Sequence, residues 1–85
     1  MKPNNTGITY HKANNTWYIE IPESELSNFM IRIREGKYVY KRIKSEIIAW
    51  LNENTPIYEA DDSANEILFE FKTEEDAMAF ILTWC

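Results

Sequence analysis

Two stretches of this chain concentrate the side chains that could recognise a ligand, and they carry opposite charge. Residues 32–44 hold six basic residues, Arg32, Arg34, Lys37, Lys41, Arg42 and Lys44, against one acid, Glu35. Tyr38 and Tyr40 lie among them. Arginine offers forked donors that match phosphate, and tyrosine offers a stacking surface. Arg32, Arg34, Lys37, Tyr38, Tyr40, Lys41 and Arg42 are therefore the candidate site for a small ligand, a nucleotide or a nucleic acid. From Glu46 to Cys85 there are ten acids and one base, Lys72, so a local charge of +5 is followed by one of −9. Eight of these acids, Glu59, Asp61, Asp62, Glu66, Glu70, Glu74, Glu75 and Asp76, fall within eighteen positions. Gathered on one side, they could imitate phosphates and occupy a basic cleft of a partner protein. The plainer alternative is that the two regions neighbour each other and form surface ion pairs, which contribute little. Equally plainly, the acids keep a small apolar domain soluble. The formal net charge of −5 argues against a tight nucleic-acid binder.

Residues for bond-making chemistry are scarce. His11 is the sole histidine and Cys85 the sole cysteine, so no structural zinc set can be assembled within the chain. Cys85 has no histidine near it in sequence to act as its base. Ser45 and Ser63 lack the turn that exposes a hydrolase nucleophile. The run from Asp61 to Glu66 begins like a calcium loop but has Glu66 where the sixth-position glycine belongs and Lys72 at the twelfth. The two glycines, Gly7 and Gly36, are too few for a phosphate-cradling loop. The expectation is a protein that is not an enzyme, with no cofactor and no metal.

The elements that must position these residues follow from periodicity. Residues 1–15, with four asparagines, a proline and a glycine, read as a mobile lead-in with a short strand at residues 8–10. Residues 16–85 read as one domain. Trp17, Ile19 and Ile21 alternate as a strand that Pro22 ends, and residues 23–28 form a polar connection or one helical turn. Phe29, Ile31 and Ile33 point inward on the next strand, with Met30, Arg32 and Arg34 facing the other way. Glu35-Gly36 turns the chain, and residues 37–40 return as a hairpin. Residues 41–54 read as a helix whose stripe is Ile43, Ile47, Trp50 and Leu51. Pro56 stops it. Residues 57–60 are a strand, and Ile67, Phe69 and Phe71 make the clearest strand of all. Thr73 caps a final helix with three acids in its first turn. That helix is apolar nearly all round, so it is deeply buried or its second face meets a partner. The predicted fold is α+β: a two-layer sandwich, an antiparallel sheet of four to five strands with two helices on one face.

A single thiol favours a reducing compartment. No apolar run approaches the ~20 residues of a membrane span. With no apolar leader at the start of the sequence, the expected location is cytoplasmic.

The closing segment Phe69-Glu70-Phe71-Lys72-Thr73-Glu74-Glu75-Asp76-Ala77-Met78-Ala79-Phe80-Ile81-Leu82-Thr83-Trp84 resembles the C-terminal segment of small tailed-phage accessory proteins, in which an aromatic strand runs into a Glu-Glu-Asp-Ala-x-x-Phe helix that closes on Trp. It covers about a fifth of the chain. The resemblance implies a phage-encoded protein in the host cytoplasm that binds and inhibits a host factor, defence systems included. A host protein is then the expected partner. Two alternatives stay open: a small-ligand or nucleic-acid binder using the basic hairpin, and a structural or homo-oligomeric protein using the last helix.

Overall fold

The fold starts at Asn14 and Asn15, which take φ of 54° and 59°. Two consecutive residues with positive φ form a type I′ turn, whose twist matches that of the strands it joins. The turn links β1 (Thr9–Ala13) to β2 (Thr16–Ile21) in an antiparallel hairpin with Tyr10 opposite Ile19 and Lys12 opposite Trp17. The strand expected at residues 8–10 is thus longer and fully paired. A computed structural model describes residues 7–62 and 66–85, so residues 1–6 of the expected lead-in lie outside the described residues.

Next along the chain are a 3-10 segment (Glu23–Asn28), β3 (Met30–Glu35), β4 (Tyr38–Ile43), α1 (Ser45–Asn54), β5 (Tyr58–Asp61), β6 (Ile67–Phe71) and α2 (Glu74–Trp84). The strands form two antiparallel sheets, one of four strands in the order β1-β2-β6-β5 and one of two, β3-β4. In the larger sheet, Trp17 faces Phe71, Ile19 faces Phe69 and Ile21 faces Ile67. These partners share one side of the pleat. Ile19, Ile21, Ile67, Phe69 and Phe71 are fully buried there together with Ile47 and Leu51 of α1 and Ala77 and Phe80 of α2. Phe80 is the hub, with its ring centre 4.6 Å from that of Phe69 and 5.5 Å from that of Phe71. Trp50 of α1 meets Phe80 at 6.1 Å and Trp84 at 6.3 Å, locking the helices edge to face. Each of the fully buried rings, Phe69, Phe71 and Phe80, contributes about 2–3 kcal/mol by removal from water. The result is an α+β fold with both helices on one side of the larger sheet.

The helix ends follow their sequences. The Thr73 hydroxyl accepts from the backbone N–H of Asp76 at 3.2 Å, capping α2 as its sequence predicts. At the end of α1, Thr55 is fully buried; its N–H and hydroxyl both donate to the Leu51 carbonyl, at 2.8 and 3.0 Å.

Two expectations need correction. Residues 41–43 belong to β4, so α1 begins at Ser45 rather than at residue 41. Lys41 and Arg42 are held in the ladder opposite Arg32 and Ile31, and Ile43 reaches the core from the last strand position rather than from a helical stripe. Phe29 is buried, but Ile31 is exposed and does not join it. Phe29 has helical backbone angles, φ −117° and ψ −15°, so the alternation restarts at Met30. The smaller sheet therefore sends Met30 and Ile43, not Ile31, toward the body.

Candidate functional site

The candidate site is the β3–β4 hairpin, an arm held mainly at its root. There the Lys44 N–H donates to the Phe29 carbonyl at 2.9 Å, Ile43 is buried and Met30 is half-buried. Past this point every residue of both strands is exposed except Ile33, which is half-buried. The tip turns through Gly36 and Lys37. Gly36 has φ +61°, a backbone geometry that a side chain would strain.

Register sorts the arm's side chains onto two faces. Arg32 stands opposite Lys41 and Arg34 opposite Val39, on the face that begins with Met30 and Ile43. Ile31 stands opposite Arg42, Ile33 opposite Tyr40 and Glu35 opposite Tyr38, on the other face. Tyr38 and Tyr40 therefore sit across the hairpin from Arg32 and Arg34 and share a face with Arg42 and two isoleucines. Tyr38 is 77% exposed, Ile31 47% and Tyr40 42%. Lys37 lies at the tip. Among the described residues, none of these cations has a carboxylate within 4.0 Å, and the single ion pair at that distance, His11 with Glu20 at 3.8 Å, lies elsewhere.

Two clefts flank the root of the arm. One, of about 460 Å³, lies between the Arg32 face and the 3-10 segment and is lined by Glu23, Leu26, Ser27, Met30, Arg32 and Lys41. The other, of about 490 Å³, lies between the arm and α1, with Arg42 and Asp62 on its walls and Ile43, Ile48 and Ala49 among its lining. Glu23, Leu26 and Ser27 escaped sequence reasoning because nothing local ties a polar connection to a strand face.

The eight candidate acids do not form one patch. Glu59, Asp61 and Glu70 project from the face of the larger sheet turned away from the helices, where register also places Glu20. Alternation with Ile19 and Ile21 was the signal that could have found Glu20. Glu59 lies directly opposite Glu70. Asp62 belongs to the α1 cleft, Glu66 immediately precedes β6, and Glu74, Glu75 and Asp76 occupy the first turn of α2. His11 is in β1, its ring stacked on Tyr18 at 5.1 Å. The Tyr10 hydroxyl is held above its ordinary pKa by burial and, secondarily, by the charge of Glu74. Among the described residues, no three His, Cys, Asp or Glu side chains gather as metal ligands would.

Outside the arm, α2 buries Ala77 and Phe80 but leaves Leu82 82% exposed beside an exposed Met78. No helix among the described residues is long and apolar enough to cross a membrane. No protein-family model matches this chain, and no curated protein or solved structure matches it either.

Proposed function

We propose that this chain is a non-enzymatic binding protein that uses its β3–β4 arm to grip an acidic surface on another protein. The observation that carries the reading is the face of exposed Ile31, Tyr38, Tyr40 and Arg42 around half-buried Ile33, with cations on both sides of the ribbon and, among the described residues, no carboxylate within 4.0 Å of them. Tyrosine and arginine are, with tryptophan, enriched among the residues that dominate binding energy. Aliphatic groups on the same face favour a protein over a polyanion, because exposed isoleucine gains nothing from phosphate. The cations would speed encounter with an acidic partner and fix its orientation. The likeness of residues 69–84 to tailed-phage accessory proteins supports a host protein as the target and inhibition of a host factor as the outcome.

A second reading rests on shape. A two-stranded ribbon is one of the two elements that the major groove of DNA admits. Cations on both faces suit phosphate contacts.

Affinity capture from a bacterial lysate separates the two. The immobilised full chain is expected to retain a protein, to lose it in the triple variant Ile31→Ser, Tyr40→Ser, Arg42→Glu, and to keep it in Glu59→Gln with Glu70→Gln. Recovery of nucleic acid alone, with affinity that falls steeply with salt, favours the second reading. Equal retention by the wild type and the arm variant overturns both.

A further inference from the structure

The cleft between the arm and the 3-10 segment is lined by two cations that face each other across the ribbon. Arg32 and Lys41 are direct cross-strand partners on the same face of the ribbon. At such positions the Cβ atoms lie about 4.5–5.5 Å apart, and like charges destabilise the pair. Ordinarily an adjacent carboxylate relieves this. Glu23 is the one acid lining the cleft, and it is not within 4.0 Å of either cation.

We propose that this cleft binds a phosphoryl group. A phosphate dianion carries the charge that two facing cations lack. Arginine gives it a forked pair of donors and lysine a mobile point charge. Ser27 supplies a hydroxyl from the 3-10 segment, and Leu26 and Met30 give an apolar wall for whatever the phosphate is attached to. The cleft on the other side of the root is the internal control. There Arg42 shares the lining with Asp62, so a negative charge is already built in.

The site lies on the opposite face from Tyr38 and Tyr40 and does not depend on the protein partner proposed above. Its phosphate is free phosphate or the monoester of a nucleoside, and the two are told apart by titration. Isothermal titration of the full chain with inorganic phosphate and with adenosine 5′-monophosphate, each against sodium chloride at equal ionic strength, is expected to show saturable binding. Equal affinity for the two assigns free phosphate; tighter binding of the nucleotide assigns a nucleoside phosphate. Arg32→Gln and Lys41→Gln should each weaken binding by about tenfold or more, since each removes a charge-assisted contact. Glu23→Gln should tighten it, because the competing carboxylate is gone. Ile31→Ser with Tyr40→Ser should leave it unchanged. Thermal melts of the Arg32 and Lys41 variants should equal or slightly exceed the wild type, since each removes one of two facing like charges, which separates lost binding from lost folding. Absence of saturable binding to both probes overturns the proposal, as does binding indifferent to Arg32→Gln.

Discussion

Strands β6 and β3 have similar apolar alternation and opposite fates. Ile67, Phe69 and Phe71 of β6 are all fully buried, while Ile31 of β3 is half in solvent and Ile33 only half-buried. β6 is a central strand, flanked by β2 and β5, with Phe80 of α2 laid over Phe69. β3 pairs only with β4, and neither helix lies across the exposed part of the ribbon. Alternation shows that residues share a face. It does not show that the face has a cover. A two-stranded ribbon alone is at best marginally stable in water. This arm persists because its root is tied to the body, through Phe29, Met30, Ile43 and the Lys44–Phe29 hydrogen bond. The body holds the fold, and the arm leaves aromatic, aliphatic and basic groups free to bind.

The sharpest way to break this division is to compare substitutions in the two regions. Phe80→Ala removes the ring that contacts Phe29, Trp50, Phe69 and Phe71. It should cost about 3–5 kcal/mol, a large share of the ~5–15 kcal/mol total of a typical domain. Urea denaturation should show the midpoint collapsing. The open side of the sheet offers a smaller effect of opposite sign. Glu59 and Glu70 face each other as like charges, so Glu59→Lys should stabilise by about 0.5 kcal/mol, and less at high salt. The smallest effect belongs to the arm. Ile31→Ser or Tyr38→Ser should shift global stability by no more than about 0.5 kcal/mol in the same denaturation assay. An arm substitution as costly as Phe80→Ala would mean that the arm belongs to the cooperative core.

Much of the body was legible in advance. The alternation of Trp17, Ile19 and Ile21 and of Ile67, Phe69 and Phe71 named two strands and their buried side, and Thr73 marked the start of α2. β1 is longer than its composition suggests, because asparagines look like linker until Asn14 and Asn15 are taken together as a type I′ turn. The start of α1 is ambiguous in the sequence because Ile43 fits a helical stripe and a strand end equally well; its pairing with Met30 makes it a strand end. In the candidate site, the basic residues and tyrosines were visible, but their faces were not. The helical angles of Phe29 reset the alternation, and a single-residue shift exchanges the two faces of a strand. The cleft under Arg32 depends on how the 3-10 segment folds back against β3, a tertiary contact with no local signal.

Native-state hydrogen exchange of the free protein tests most directly whether arm and body are separate in energy. Amides of β2 and β6 should exchange only through global unfolding, while those of β3 and β4 beyond the root should exchange by local opening at far lower free energy and be barely altered by Phe80→Ala. Equal protection in both sheets, falling together in that variant, would contradict that separation.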